Sequence, residues 1–306
     1  MEGLLQNKWI GINKGLNRGL HPGLNSGLFH SGDDRVDPSL LSQAEIYVNP
    51  GELNFMTDAS GDDPETQNES ILSFKRFPDN AFTFTSGGVT NRASWVMNIG
   101  TRTSMAAWFG QLLTAGGIYN GGTTASFPFL HQSTKCKFTF YWVFRHRPNE
   151  NSGTTKIFFA TSNNTGGRGL QLQITGAANP GLRNVRLVIN NNTAGVNAVV
   201  QTIYSYQSDD AGETVVISAR VNAIGSSVND VIGDCFVNGV FSSNITLSNA
   251  LATQAASVTA PNLGNRGTND LRFAGYSGDF IVFNDFHNNR MHQNICNFLK
   301  RKWNIP

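Results

Sequence analysis

The chain has 306 residues, of which 39% are hydrophobic and 14% are charged, and its formal net charge is +2 at pH 7. Soluble domains usually have a charged fraction of about 25%. This composition excludes a disordered chain, a coiled coil and a protein that binds nucleic acid through bulk positive charge. The polarity comes from uncharged side chains, and the apolar content suffices for a sizeable core.

Neither a membrane-spanning segment nor a secretory signal peptide is expected. No apolar run approaches the roughly 20 residues that cross a bilayer, and the N-terminus lacks an apolar core segment. The cysteines Cys136, Cys235 and Cys296 are too few and too dispersed for a disulfide framework or a zinc site. We therefore expect free thiols in a reducing compartment, with no metal, no cofactor, no membrane partner and no nucleic-acid partner.

Residues 1–30 contain a tetrapeptide repeat and are predicted to be a docking arm. Glycine recurs at every fourth position from Gly11 to Gly27, and an aliphatic residue follows each glycine. A helix would lose about 1 kcal/mol at each glycine, whereas an extended chain places the aliphatic side chains on one face. Such a strip must lie along its own body or a neighbouring subunit; the alternative is a mobile tail. The predicted docking residues are Ile12, Leu16, Leu20, Leu24 and Leu28.

Residues 31–73 are predicted to be an acidic connector with one short helix. Asp37 suits the cap of this helix and Pro38 suits its first position. The aspartates of the segment lack the spacing of an EF-hand calcium loop, so we interpret them as solvated charges.

From residue 74 onward, short apolar runs alternate with turns rich in Gly, Asn and Ser, and we predict one domain over 74–306. Four aromatic residues fall on one strand face with period two, namely Phe138, Phe140, Trp142 and Phe144. Asn238-Gly239 between two apolar runs predicts a hairpin. Strands at this spacing favour an all-β, antiparallel β-sandwich.

One long helix is predicted, at the C-terminus. Apolar residues recur there at helical spacing, with Asn288 or Asn289 as the cap and three basic residues in the last turn. The apolar positions are Met291, Ile295, Phe298, Leu299 and Trp303.

Four segments together resemble the LamG-like jelly roll of the concanavalin A-like lectin/glucanase superfamily. They are an aromatic strand (137–148), a strand and hairpin (212–222 and 233–244), and the closing strand and helix (273–306). The closing segment is the most specific, at Gly275, Gly278, Asp279, Phe283, Asn284, Leu299, Lys302, Trp303 and Ile305. The resemblance implies two packed antiparallel sheets, one of them concave. The superfamily contains lectins, glycosidases, adhesion modules and structural proteins, so it leaves the function open.

The N-terminal repeat is not part of that superfamily. Arms rich in Gly, Leu and Asn are similar to segments in structural proteins of tailed phages and other large viruses. This second resemblance implies that the arm binds another virion protein.

No catalytic motif is recognisable, and we expect that the protein is not an enzyme. The glucanases of the superfamily place two carboxylates on one strand, and that motif does not occur here. The sequence also lacks paired histidines at metal-binding spacing and a Gly-x-Ser-x-Gly motif.

Carbohydrate binding is predicted from aromatic and amide side chains, because aromatic rings cover the apolar face of a sugar and amides bond its hydroxyls. The alternative for each ring is a place in the core or at its rim. The candidate residues are Trp108, Tyr119, Asn120, Tyr204 and Tyr206.

Three functions follow from these observations. The leading hypothesis is a virion structural protein, a phage or viral capsid, head-fibre or tail component. It would dock through its arm in many copies or as a homo-oligomer, and display a lectin-like jelly roll, with attachment to host-surface glycans as a second role. The alternatives are a carbohydrate-binding adhesion protein outside any virion and a glycan-active enzyme, against which the missing carboxylate pair counts.

Overall fold

A computed structural model of the protein describes residues 38–50, 56–57, 60, 71–75, 83–86, 93–96, 106–109, 119–146, 153–162, 167–176, 180–193, 196–210, 212–265 and 272–306. The predicted docking residues of the N-terminal repeat lie outside these ranges, so the docking arm stays a prediction.

Short strands dominate the described part of the chain. The strands are β1 (Ile46–Val48), β2 (Met56–Thr57), β3 (Ser73–Lys75), β4 (Thr83–Ser86), β5 (Ser94–Val96), β6 (Ala106–Phe109), β7 (Tyr119–Gly121), β8 (Lys137–His146), β9 (Lys156–Ala160), β10 (Gly169–Ile174), β11 (Leu182–Asn190), β12 (Asn197–Gln207), β13 (Thr214–Asn222), β14 (Val231–Val237), β15 (Val240–Thr246), β16 (Asn262–Leu263) and β17 (Gly275–Phe283). The helices are α1 (Pro38–Leu41) and α2 (Asn289–Lys302), and a 3-10 turn spans Pro128–Leu130. Neither helix of the described part is long and apolar enough to cross a membrane.

The strands form two antiparallel sheets that pack face to face, which confirms the predicted β-sandwich. Sheet I has the order β15-β14-β13-β8-β17-β6-β5, and β1 also pairs with β17. Sheet II has the order β12-β11-β10-β9-β16-β7-β4-β3-β2. The Asn238-Gly239 hairpin between β14 and β15 is also confirmed, and both residues have the positive φ angles that this turn requires, 53° and 80°.

The aromatic face of β8 points into the core between the sheets, as its period-two pattern predicts. Phe138, Phe140, Trp142 and Phe144 are all buried there. The Trp142 ring stacks on Phe158 of sheet II, with centroids 4.1 Å apart. This contact joins the middle of one sheet to the other.

The opposite face of sheet I is covered by α2, so β8 is buried on both faces. Tyr141 and Val143 pack against the apolar side of the helix, formed by Ile295, Cys296, Phe298 and Leu299, and the C-cap residue Trp303 belongs to the same cluster. The helix begins as predicted, because the Asn288 side chain accepts a hydrogen bond of 2.9 Å from the backbone of Met291.

A buried charge network fixes the end of α2 to sheet I. Asp279 on β17 is fully buried, and its carboxylate lies 2.9 Å from Lys302 Nζ. The Trp303 indole donates a hydrogen bond to the other oxygen of Asp279. A Cβ atom at Gly278 would overlap the Trp303 ring, so the close packing here requires glycine.

The predicted connector requires a correction. Its short helix is α1, beginning at Pro38, but the same segment supplies β1 to sheet I and β2 to sheet II. Residues 46–48 pair with β17 and are buried, with Ile46 and Val48 in the core between the sheets and Tyr47 in the cluster beneath α2. The described sandwich therefore begins well before the predicted boundary at residue 74.

The two sheets meet along their edge strands β12 and β15. The Ser242 hydroxyl donates to Ile203 O at 2.8 Å, and the Ser243 hydroxyl donates to Thr202 O at 3.2 Å. Serine side chains thus satisfy backbone carbonyls that an edge strand would otherwise leave open to a neighbouring chain.

We predict that Asp279→Ala lowers the free energy of unfolding by about 3–5 kcal/mol, because it leaves the Lys302 ammonium buried without a counter-charge. Urea unfolding of the full chain measures this loss. The control is Asp285→Ala, which removes the exposed ion pair with Lys137 and should cost less than about 1 kcal/mol. Equal losses in the two variants would contradict a stabilising role for the buried network.

Candidate functional site

Two adjoining depressions lie at the end of the sandwich where β13 stops and β8 begins. The first, called the aliphatic groove below, has a volume of about 670 Å³. The second, called the polar groove, has a volume of about 500 Å³. Both values fall in the range of roughly 300–1,000 Å³ that is typical of ligand sites. Because Thr134 and Ile224 line both grooves, the two form one continuous surface.

The loop between β13 and β14, residues 223–230, forms one wall of the aliphatic groove. The Ala223 N–H donates to Cys136 O at 2.9 Å, and the Asn229 N–H donates to Leu247 O at 2.7 Å. The loop is therefore anchored at both ends to neighbouring segments.

The centre of this loop carries aliphatic side chains into solvent. Ile224 is 49% exposed and Val228 is 46% exposed. The turn between them uses Gly225 at a φ of 75°, and the Asp230 carboxylate accepts a hydrogen bond of 2.7 Å from the Ser227 N–H. Local hydrogen bonding thus holds two apolar side chains at the surface.

The facing wall is the turn that precedes β8, residues 131–136. The Ser133 N–H donates to Ala252 O at 2.8 Å, and the Gln132 side chain donates to Thr253 O at 3.0 Å. These bonds tie the turn to residues 247–253, which close the groove.

The polar groove combines charged, amide and apolar side chains. Glu45, Phe129, Lys135, Lys137 and Asn284 all contribute to its lining. It can accept and donate hydrogen bonds within reach of the aliphatic groove.

The charged side chains of the polar groove differ in whether they are already paired within the protein or free to contact a ligand. Lys137 is already paired, with its Nζ 2.9 Å from the Asp285 carboxylate. Burial alone would raise the pKa of Asp285, but the hydrogen bond and charge of Lys137 hold it below its ordinary value. Glu45 and Lys135 have no ion-pair partner among the described residues, so both charges are available to a ligand.

The described lining of these grooves does not present the carboxyl pair of a glycosidase. Hydrolysis requires two carboxyl groups on either side of the scissile bond. The described lining of the two grooves contains one carboxylate, that of Glu45.

The structure does not bring the predicted sugar-binding residues together. Trp108 lies on β6 of sheet I, whereas Tyr119 and Asn120 lie on β7 of sheet II. Tyr204 and Tyr206 lie on β12, at the far edge of sheet II.

The tyrosines of this set serve mainly the core. Tyr119 is fully buried, and its hydroxyl accepts from the Ala93 N–H at 2.7 Å and donates to Ile71 O at 2.8 Å. Tyr206 is also buried and stacks on His146, with ring centroids 4.0 Å apart. Tyr204 is half-buried and Asn120 is exposed, while the Trp108 side chain lies outside the described part of the structure.

The groove residues are not among the predicted sugar-binding residues, because aromatic rings are the stronger sequence signal for a sugar site. One local signal was present: Ile224 and Val228 interrupt a turn-like stretch of Gly, Ser, Asn and Asp between two strands. Apolar residues at such positions are uncommon unless a loop packs or binds something.

A second cluster of reactive side chain types lies beneath α2. The His292 Nε2 is 2.9 Å from the Ser218 hydroxyl and 3.7 Å from Cys296 Sγ. The His287 Nδ1 is 2.9 Å from the Tyr141 hydroxyl, and the His292 ring stacks against Tyr141 at 5.4 Å. Arg220 is the nearby cation, and donates to His287 O at 3.0 Å.

Burial keeps the side chains of this cluster in their neutral forms. Burial, together with the nearby charge of Arg220, lowers the pKa of His292 to about 3. Burial likewise raises the pKa of the Cys296 thiol to about 12. A neutral imidazole beside a protonated thiol is not an activated nucleophile, so the cluster packs the helix. Among the residues that the structure describes, no group of three or more side chains could hold a metal ion.

The chain matches no protein-family model and no curated protein. Among solved structures it is similar to the binding domain of botulinum neurotoxin DC in complex with SialylT, at a TM-score of 0.46 and 9% identity, covering 85% of this chain and 52% of that one. It is also similar to the Ruminococcus gnavus IT-sialidase CBM40, at a TM-score of 0.36 and 12% identity, covering 52% of this chain and 82% of that one. The chain thus spans about half the length of the neurotoxin domain. Similarity at this level carries no functional argument.

We predict that the protein loses stability between pH 7 and pH 5. The pKa values of His287 and His292 are lowered to about 4 and about 3 from 6.5, so the unfolded chain binds protons that the folded chain does not. Stability therefore falls as the pH falls through this interval, and His292 alone accounts for about 2 kcal/mol. Urea unfolding at pH 5, 6 and 7 measures the change.

Two variants isolate the contribution of His292 to this pH dependence. His292→Gln should reduce the difference between pH 7 and pH 5 by about 2 kcal/mol, whatever its effect on absolute stability. Met291→Gln, on the same helix and half-buried, should leave the difference unchanged. An unaltered pH dependence in His292→Gln would show that protonation elsewhere is responsible.

Proposed function

We propose that this protein is a lectin-like carbohydrate-binding protein, and that it holds a glycan across the aliphatic and polar grooves. The observation that carries the proposal is the wall shared by the two grooves at Thr134 and Ile224. A continuous surface with apolar contacts in one part and donors and acceptors in the other suits a chain of sugars better than a single small ligand.

The chemistry of the lining supports this proposal. Each sugar unit presents C–H groups and hydroxyls side by side. Ile224 and Val228 offer exposed aliphatic surface for the C–H groups, while Glu45 and Asn284 offer oxygen acceptors for the hydroxyls. Neither kind of contact requires a reactive group.

The rigidity of the walls supports it as well. Backbone hydrogen bonds within the protein fix the 223–230 loop and the 131–136 turn. A site that is already ordered loses less conformational entropy on binding, so that modest contacts give measurable affinity.

The virion role stays a prediction. The docking arm that motivated it lies outside the described residues, as do all five of its aliphatic positions. Assembly with virion proteins, a multi-copy or homo-oligomeric state, location in a virion and the absence of enzymatic activity likewise stay predictions.

A glycan array probed with the full chain tests the proposed function, with calorimetry on the sugars that bind. Ile224→Arg places a long charged side chain in the shared wall and should weaken binding at least about tenfold, or about 1.4 kcal/mol. The control is Val240→Arg, at an exposed position next to the hairpin at the opposite end of β14. An array without binding, or equal binding by the two variants, would refute the proposed site.

A further inference from the structure

The lining of the aliphatic groove is uncharged throughout its described part. Ala223, Leu247 and Leu251 are buried and form its base, while Ile224 and Val228 rise along one side. Glu45 and the two lysines line the polar groove instead, while Asp230 of the 223–230 loop lies outside the lining and accepts a hydrogen bond from the Ser227 N–H. The portion of a ligand that occupies the aliphatic groove must therefore be uncharged.

Hydroxyl groups surround this apolar base. Ser133, Thr134, Ser226, Ser227 and Thr253 contribute to the lining. None of these five side chains has a hydrogen-bond partner of its own within the described part of the protein. These hydroxyls are consequently available to hydrogen-bond the hydroxyl or amide groups of a ligand. Those ligand groups would lie at the rim of the groove, in contact with water.

The apolar surface is aliphatic, without an aromatic ring in the lining. An unsubstituted hexose binds best to a flat ring, because its C–H groups lie on one face. A branched aliphatic pocket instead surrounds a compact apolar group, and each methyl-sized group that is buried contributes about 0.8 kcal/mol. Discrimination on this basis reaches about 10-fold or more in hydrophobic pockets.

We infer that the aliphatic groove selects sugars that carry a methyl group, either a 6-deoxyhexose or an N-acetylated sugar. The inference rests on the proposed function, since it specifies which glycans the two grooves hold. The methyl group lies between Ile224, Val228 and Leu251, and the rim hydroxyls bond the neighbouring polar groups of the sugar. The next sugar unit extends past Thr134 into the polar groove.

Ligand pairs that differ at the methyl group test the inference by calorimetry on the full chain. L-Fucose is compared with L-galactose, and N-acetylglucosamine oligomers with their N-formyl counterparts. We expect the methyl-bearing member of at least one pair to bind about fourfold more tightly or better. Preference in the first pair identifies a 6-deoxy sugar, and preference in the second identifies an N-acetyl group.

Two valine variants locate the selectivity. Val228→Ser removes apolar surface from the groove and should reduce the preference for the methyl-bearing sugar at least about twofold. Val231→Ser is the control, because Val231 is 62% exposed, lies three residues further along and is not part of the lining. Thermal unfolding of both variants verifies that they fold.

The failure of this inference differs from the failure of the proposed function. Glycan binding with equal affinity for both members of each pair would overturn the inference and leave the function standing. Methyl preference that survives Val228→Ser would place the selectivity elsewhere and also overturn it. Absence of binding to any glycan would overturn both, and binding of a free fatty acid alone would assign the groove to an acyl chain.

Discussion

The central constraint on this structure is that β8 is buried on both faces. Phe138, Phe140, Trp142 and Phe144 require a second sheet on one side, whereas Tyr141 and Val143 require a cover on the other. An antiparallel sheet commonly leaves one face in water, but β8 cannot. Helix α2 is therefore an integral layer of the fold, and the Asp279 network at its end fixes its position.

The grooves follow from the register of the same strands. Lys137 at the start of β8 pairs with Asn222 at the end of β13, so the turn before one strand faces the loop after the other. Val282 near the end of β17 pairs with Ile46 on β1, which places Asn284 and Glu45 at the same end. Four chain segments that are remote in sequence thus converge because the central strands end together.

Much of the fold is visible in the sequence because it is encoded locally. The alternation along β8, the Asn238-Gly239 turn and the Asn288 cap depend on residues within a few positions of one another. Strand β1 is different, because its three residues are too few to show a period and it exists through its pairing with β17.

The site was not predictable by the same means. By residue type, Tyr119 looks like a platform for a sugar. It is nevertheless buried, and its hydroxyl bonds Ala93 and Ile71, which lie 26 and 48 positions earlier in the chain. Ile224 looks like core by residue type, yet the anchored loop exposes it. Exposure is set by long-range pairing, which a single sequence does not reveal.

Within the described part of the molecule, the reactive side chain types are separated from the accessible grooves. The residue types with the greatest reactivity, Cys235, Cys296 and His292, are buried, and burial moves the pKa of each thiol up and that of the imidazole down. The accessible grooves hold hydroxyls, aliphatic groups and a few charges instead. Such groups interact by shape and hydrogen bonding, so the framework that holds them fixes the geometry of the grooves. The Asn229–Leu247 and Ala223–Cys136 backbone bonds connect the groove walls to the strands that the core immobilises. The double burial of β8 thus holds in place the strand ends from which the groove walls extend.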